Sequence, residues 1–254
     1  MLKTRVIPCL QLIDESLVKA VKFGNHGYIG DYINTVRIFN ELEVDELCFL
    51  DIRATSDGRN PNFDILHHIA DECFMPLSYG GAIKDFETAR RILSIGFEKI
   101  IINTAAYHVP NLIKKISEYF GNQAVVASVD VKRNLWGKHH VYINNGKEKI
   151  REEPVEWVRI LESAGAGELL LTSMDREGTW SGYDLEITKK VTDALSIPVV
   201  ANGGAGNIGH IADVIKNGGA SAAALGSMVV YQKKGMGVLV NFPDRKLLEA
   251  ALKI

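Results

Sequence analysis

Two matching stretches decide the fold class of this chain, Pro76-Leu77-Ser78-Tyr79-Gly80-Gly81 and Pro198-Val199-Val200-Ala201-Asn202-Gly203-Gly204. Each is a short run of apolar and small residues that begins at a proline and ends in a Gly-Gly pair. Such a run predicts a buried β-strand that leads into a tight turn. The two stretches start 122 positions apart in a chain of 254 residues, so the spacing points to a repeat of about half the chain.

Two more pairs of segments repeat in the same order along the chain. They are Glu46–Asp51 with Glu168–Ser173, again 122 positions apart, and Leu10–Leu12 with Val129–Val131, which pairs Gln11 with Asp130 at an offset of 119. These three pairs of similar segments occur in the same order in both parts of the chain. They predict two structurally similar halves, roughly 1–122 and 123–254.

Strand-like and helix-like segments alternate over the whole chain. The strand candidates are Arg5–Gln11, Glu46–Asp51, Met75–Tyr79, Lys99–Asn103, Ala124–Asp130, Glu168–Thr172, Pro198–Ala201 and Ala220–Leu225. The helix candidates are Asp31–Glu43, Asn62–Glu72, Asp85–Ser94, Asn111–Phe120, Pro154–Ala164, Tyr183–Leu195, Asn207–Lys216 and Asp244–Leu252. Strict alternation predicts parallel strands joined by helices.

At this length the pattern favours an α/β fold with one closed barrel over an open doubly wound sheet. We therefore expect residues 1–254 to form a single (β/α)8 TIM barrel built from two half-barrel repeats. Arg133–Arg151 is too long for a simple turn, and its Asn145-Gly146 pair indicates an inserted hairpin after the fifth strand.

Composition excludes several function classes. Hydrophobic residues make up 46% of the chain, charged residues 24%, and the net charge is −2, which is typical of a globular protein without a nucleic-acid-binding surface. No apolar run is long enough to span a membrane, and no signal-peptide core is present. The three cysteines show no CxxC spacing, so we expect reduced thiols and a cytoplasmic location.

The sequence indicates neither a cofactor nor a metal ion. No Walker-type loop occurs, and the adjacent pairs His67-His68 and His139-His140 lack the i, i+4 spacing of a helical metal site. We expect these histidines to lie on the surface.

The two Gly-Gly pairs are candidate phosphate cradles, because each falls at the carboxyl end of a predicted strand. Glycine allows backbone N–H groups to approach an anion closely, and a following helix adds a partial positive charge. Asn103-Thr104 and Gly226-Ser227, after the fourth and eighth strands, are candidates for further donors. Tight turns without a ligand are the alternative; two repeat-related cradles favour a ligand with a phosphate at each end.

The sequence resembles the HisF family, the cyclase subunit of imidazole glycerol phosphate synthase, over essentially its full length. The resemblance rests on several motifs: Ile7-Pro8-Cys9-Leu10, Ile102-Asn103-Thr104-Ala105-Ala106, Asp130-Val131-Lys132-Arg133, Leu171-Thr172-Ser173-Met174-Asp175-Arg176 and Gly203-Gly204-Ala205-Gly206. It implies a (β/α)8 barrel that takes ammonia from a glutaminase partner. The implied lyase reaction cleaves and cyclises a doubly phosphorylated ribonucleotide to imidazole glycerol phosphate and aminoimidazole carboxamide ribotide.

The resemblance also implies roles for individual residues. Two aspartates of the family exchange protons with the substrate; Asp130 stands at one of these positions and Gln11 at the other. Lys19 falls on a loop expected to close over the substrate, and Glu177 replaces a family aspartate. The full set of expected substrate and phosphate contacts is Lys19, Gly81, Asn103, Thr104, Thr172, Glu177, Gly204 and Ser227.

Four charged residues begin predicted strands at the opposite end of the barrel: Arg5, Glu46, Lys99 and Glu168. A neutral ring there would serve stability alone, or, as the resemblance implies, form the gate through which ammonia enters from the glutaminase.

Two function classes follow. Gln11 cannot exchange a proton usefully, and Tyr28-Ile29-Gly30-Asp31 and Val238–Pro243 resemble HisF-like paralogues associated with surface-polysaccharide amidation. The first reading is therefore a paralogue that passes ammonia from its glutaminase to a sugar-modifying amidotransferase. The alternative is a genuine cyclase of histidine biosynthesis acting on a phosphorylated small molecule.

Overall fold

A computed structural model describes residues 4–253; positions 1–3 and 254 of the single-domain prediction lie outside the described residues. The strands in this range are β1 Arg5–Ile13, β2 Ser16–Ala20, β3 His26–Asp31, β4 Leu47–Asp51, β5 Leu77–Gly80, β6 Lys99–Ile102, β7 Val125–Arg133, β8 His139–Ile143, β9 Glu148–Lys149, β10 Glu168–Ser173, β11 Val199–Asn202 and β12 Ala222–Leu225.

Eight of these strands close into a parallel barrel. Their order is β1-β4-β5-β6-β7-β10-β11-β12, and β12 pairs with β1 to complete the circle. The structure confirms the predicted (β/α)8 fold. The half-barrel boundaries near residue 122 stay a prediction.

The helices pack around the barrel. They are α1 Tyr32–Glu41, α2 Phe63–Glu72, α3 Phe86–Ile95, α4 Thr104–His108, α5 Leu112–Phe120, α6 Pro154–Ser163, α7 Leu185–Thr192, α8 Ile208–Lys216, α9 Ser227–Val230 and α10 Arg245–Leu252, with one 3-10 turn at Asn122–Ala124. No helix within residues 4–253 has the length and apolar character that a membrane span requires.

The short helices α4 and α9 were not expected from the sequence. They follow the fourth and eighth barrel strands, and the residue before each has nearly the same backbone conformation: φ −115°, ψ −88° at Asn103, and φ −101°, ψ −94° at Gly226. This match at repeat-related positions favours the predicted two-fold organisation.

Two antiparallel extensions stand at the carboxyl end of the barrel. The pair β8–β9 turns at Asn144–Gly146, which have positive φ values of 52°, 55° and 74°, and confirms the predicted hairpin. The second extension, β2–β3, pairs with the end of β1. It places Lys19 in a strand, so the prediction of a loop at Lys19 is wrong: the chain pairs back onto β1 instead of leaving the sheet.

Side chains at every second position of the barrel strands point inward, because successive residues of a strand face opposite sides. In β1 these are Arg5, Ile7, Cys9 and Gln11. The middle of the lumen is apolar and consists of Ile7, Cys9, Cys48, Ile101, Val126, Leu170, Val200, Ala222 and Ala224, with Leu50 packed against them. Polar groups therefore collect at the two ends of the lumen.

Candidate site at the barrel mouth and the charged ring at its base

The carboxyl ends of the strands surround a cavity of about 440 Å³. Seven of the predicted site residues line it: Gln11, Gly81, Asn103, Thr104, Asp130, Thr172 and Glu177. The other three, Lys19, Gly204 and Ser227, do not line this cavity. Seven of these ten residues therefore share one cavity, and their roles toward a substrate stay a prediction.

Asp130 is the buried acid of the cavity. Nδ2 of Asn103 donates to its Oδ2 at 3.2 Å, and Thr172, its register partner on β10, also hydrogen-bonds to it. Burial raises the pKa of Asp130 to about 7, although both hydrogen bonds act in the opposite direction. A carboxyl group that titrates near neutral pH is suited to exchange a proton with a ligand.

Gln11 occupies a hydrogen-bonded position in place of an acid. Its Nε2 donates to Oε1 of Glu177 at 3.1 Å, and its Oε1 accepts the backbone N–H of Ala20 at 2.9 Å. Lys19 forms an ion pair with the same Glu177 oxygen, and all three side chains are buried. Gln11, Lys19 and Glu177 form a cluster that we call the latch, because it ties the β2–β3 extension to the loop after β10.

The latch holds one buried cation against one buried anion. Burial lowers the pKa of Lys19 to about 8, and Cys9 acts in the opposite direction. A second tie is the backbone N–H of Lys22, which donates to the carbonyl oxygen of Glu177 at 2.9 Å.

Gly81 forms the first predicted phosphate cradle at the cavity wall. Its φ is +145°, and a Cβ atom there would lie 2.7 Å from Cβ of Asp51, so only glycine fits. Within the described residues, the backbone N–H groups of Gly81 and Thr104 donate no hydrogen bond. Both remain able to bind an anion.

The second predicted cradle lies behind the latch. Gly204 has φ +109°, and a side chain there would meet the carbonyl oxygen of Gly182. Ser227 begins α9, and a Cβ at the preceding Gly226 would lie 2.6 Å from Nζ of Lys19. The two cradles are therefore not equivalent, because the latch separates the second cradle from the cavity.

Asp51, Asn202 and Lys147 line the cavity but were missed from the sequence. Asp51 ends β4 and accepts backbone N–H groups of Arg53 and Ala54; burial raises its pKa. Its position at a strand end was the available signal. Lys147 gave no such signal, because it reaches the cavity from the inserted hairpin.

The prediction of a surface position for His139 is wrong. His139 is buried, and its Nε2 lies 3.0 Å from Oδ2 of Asp184. Arg133 binds both oxygens of the same carboxylate, at 3.0 and 2.8 Å. Burial raises the pKa of Asp184, but these two partners hold it well below its ordinary value. Among residues 4–253, no three His, Cys, Asp or Glu side chains converge as metal ligands would.

The four charged residues at the base form a closed ring of ion pairs. Arg5 contacts Glu46 at 2.7 Å and also contacts Glu168, and Lys99 binds the same two carboxylates at 3.0 and 2.9 Å. Both acids are buried, and each contacts both cations. Burial opposes the charged form of Arg5, yet its two acidic partners raise its pKa. We call these four residues the charged ring.

The fold and this site define a (β/α)8-barrel protein with a polar cavity at the mouth and an ion-paired base. Residues 5–235 match the family model described as histidine biosynthesis protein. A Pseudomonas aeruginosa protein, provisionally named imidazole glycerol phosphate synthase subunit hisF2, is 45% identical over 98% of this chain and 99% of its own. The similarly named hisF3 of Vibrio vulnificus is 40% identical over 100% and 98% of the two chains.

The imidazole glycerol phosphate synthase subunit HisF of Alkaliphilus metalliredigens is 42% identical over 92% of each chain. The chain therefore belongs to the histidine biosynthesis protein family, as a HisF-like barrel. The predicted resemblance to the HisF family is confirmed.

Proposed function

We propose that this barrel is the ammonia-receiving subunit of a glutamine-dependent amidotransferase pair. In this proposal a HisH-like glutaminase binds at the base, and ammonia passes through the lumen to the mouth. The barrel is a paralogue that supplies ammonia for amidation of a sugar, with weak cyclase activity of its own or none. The likeness of Tyr28-Ile29-Gly30-Asp31 and Val238–Pro243 to HisF-like paralogues supports this interpretation.

One contrast carries the proposal: the charged ring at the base is complete, whereas Gln11 at the mouth is engaged in the latch. All four ion pairs of the ring are closed. The amide of Gln11 neither gains nor loses a proton near neutral pH, and both its nitrogen and its oxygen already form hydrogen bonds. Ammonia entry is thus better supported than cyclisation.

The lumen between the two ends suits neutral ammonia. Its wall is apolar, and removing an ammonium ion from water without a partner is far more costly than removing a neutral molecule. The ring would admit ammonia only when an ion pair opens. Glu46 and Glu168 each contact two cations, so opening one pair would leave neither acid without a partner.

A phosphorylated small molecule is the ligand that the mouth supports best. Unused backbone N–H groups at Gly81 and Thr104 face a cavity that also includes Lys147. Helix starts and glycine-rich turns of this kind bind anions.

A genuine histidine-pathway cyclase is the second candidate, and Asp130 favours it. A pKa of about 7 gives this carboxyl the property that an acid–base catalyst needs at neutral pH. The cavity at 440 Å³ is also large enough for a small ligand.

The experiment pairs this protein with a purified HisH-like class I glutaminase. We expect a stable complex, with an interface of at least about 1,200 Å², and glutamine-dependent ammonia transfer that falls when Arg5 and Lys99 are both changed to alanine. The double variant Lys189→Ala, Lys190→Ala on the exposed face of α7 is the control and should behave as wild type. Equal binding and equal transfer in all three proteins would refute the ring as an ammonia entrance.

A further inference from the structure

Two thiols meet inside the barrel, between the charged ring and the mouth. Cys9 of β1 and Cys48 of β4 are register partners on neighbouring parallel strands, and their Sγ atoms lie 3.7 Å apart. Both thiols are free, buried and part of the apolar lumen wall. The remaining cysteine, Cys73, follows α2 and is only partly buried. Cys9 and Cys48 are 39 positions apart in the chain, so no local sequence motif relates them.

The backbone geometry at this pair permits a covalent bond. Neighbouring strands lie about 4.8 Å apart, which falls within the roughly 4.4–6.8 Å separation of Cα atoms that a disulfide requires. The sulfur atoms would approach from 3.7 Å to about 2.05 Å. Both side chains belong to the apolar lumen wall, and rotation about their Cα–Cβ bonds changes the distance between the two sulfur atoms.

We propose that Cys9 and Cys48 are a redox pair that forms a reversible disulfide across the lumen wall, with a small hydroperoxide as the oxidant. The Cys9 thiolate attacks one oxygen of hydrogen peroxide, the O–O bond breaks, and a proton completes the departing water. The Cys48 thiol then attacks the sulfur of the Cys9 sulfenic acid, and a second water leaves. Two thiols and one peroxide thus give one disulfide and two waters; an external thiol reverses the reaction.

The surroundings assign the two cysteines different parts in this reaction. The nearby Lys19 cation favours the thiolate of Cys9 and lowers its pKa, whereas burial opposes this effect. Burial raises the pKa of Cys48, and the Glu46 carboxylate acts in the same direction. Cys9 is therefore the thiol that ionises first and attacks the peroxide.

The crosslink would lie on the route that the proposed function assigns to ammonia. Only that consequence rests on the proposed function, because formation of the disulfide requires neither a glutaminase nor a substrate.

The test is a thiol count on the purified full-length protein under denaturing conditions, before and after treatment with hydrogen peroxide. We expect three free thiols to fall to one, a peptide pair linking Cys9 to Cys48 in the mass spectrum, and full recovery with dithiothreitol. Cys73→Ala is the matched control and should lose both of its thiols. Cys48→Ala should form no intramolecular crosslink.

A second measurement uses the folded state. Because a disulfide constrains the unfolded chain, the oxidised protein should have a Tm higher by roughly 5 °C, and the shift should vanish in Cys48→Ala. Three thiols that persist through oxidation would overturn the proposal. Linkage through Cys73, or conversion of Cys9 to a sulfinic acid beside an unreacted Cys48, would also overturn it.

Discussion

The side-chain amide of Gln11 donates a hydrogen bond to Oε1 of Glu177 at 3.1 Å. An aspartate at position 11 would be one methylene shorter and would place a second carboxylate beside Glu177. Like charges at such a distance repel each other and raise each other's pKa. Residues 11 and 177 are thus matched: glutamine and glutamate together form the latch, whereas two acids would weaken it.

Loss of the latch should loosen the β2–β3 extension. Glu177→Ala removes the acceptor for both Gln11 and Lys19 and leaves a buried cation without a partner. Each lost hydrogen bond to a charged group weakens the folded state locally by about 1.5–3 kcal/mol. We expect amide hydrogen exchange in residues 16–31 to accelerate by at least about tenfold, measured by mass spectrometry.

Glu41→Ala, on the exposed end of α1, is the control for this experiment and should leave exchange in residues 16–31 unchanged. Unchanged exchange in Glu177→Ala would show that the backbone pairing of β2 with β1 and β3 holds the extension without the latch.

Asp130 should make the stability of the protein depend on pH. Its pKa rises from 3.8 to about 7 on folding, so the folded protein binds more protons than the unfolded chain between these pH values. The free energy of unfolding therefore decreases as pH rises through this window. Above pH 7 the full cost of burying the ionised Asp130 carboxylate is present. Asp130→Asn carries no ionisable group at this position, so its free energy of unfolding should not include the cost of burying a carboxylate.

Urea unfolding of wild type and Asp130→Asn measures this effect. The stability advantage of the variant should grow by roughly 2–3 kcal/mol between pH 5 and pH 8. Parallel pH curves for the two proteins would mean that Asp130 is ionised throughout this range.

Two anions should bind at the mouth when the protein is crystallised with inorganic phosphate. We expect one near Gly81, Asn103 and Thr104, and the other near Gly204 and Ser227, because these turns present backbone N–H groups that donate no hydrogen bond within the described residues. Phosphate bound elsewhere, or protein groups occupying these N–H donors in the crystal, would contradict the assignment.

Solution binding separates the two anion sites. Ser227→Ala should weaken the second site only, by a few-fold, since one neutral hydrogen bond contributes about 0.5–1.5 kcal/mol. Ser221→Ala, exposed just before β12, is the matched control. A titration followed by phosphorus NMR measures the phosphate affinity of both sites. An equal loss of affinity at both sites in Ser227→Ala would show that the two sites are coupled.

Periodicity and spacing predicted most of the barrel. The alternation of side chains along Arg5–Gln11 and the Gly-Gly turns depend on local backbone preferences, which a sequence shows directly. The structure confirms the eight barrel strands, with boundaries shifted by a few residues. The strand at Ser16–Ala20 was missed because its partner is the end of β1, and pairing of that kind depends on tertiary contacts.

Contacts across the barrel were predicted unevenly. The charged ring followed from residue type at strand starts and closes as expected. The latch did not, because no local pattern relates Gln11 to Glu177 across 166 positions. Buried His139 was misassigned for the same reason, since its partner Asp184 lies 45 positions away.

The central claim is that this barrel receives ammonia but cyclises poorly, and one measurement tests it most directly. Wild type, Gln11→Asp and the double variant Gln11→Asp, Glu177→Asp are supplied with ammonium and the doubly phosphorylated ribonucleotide of imidazole glycerol phosphate synthase. Formation of aminoimidazole carboxamide ribotide is followed without a glutaminase, so the assay does not require binding of a partner at the charged ring.

We predict very slow turnover by wild type and partial rescue in the variants, because a missing general acid or base costs about 10²–10⁴-fold in rate. The recovery should reach at most about 10²-fold and be larger in the double variant, in which the carboxylate at position 177 is also shorter. Substrate binding should be similar in all three proteins. Vigorous turnover by wild type would contradict the account and show that Gln11 is compatible with cyclisation.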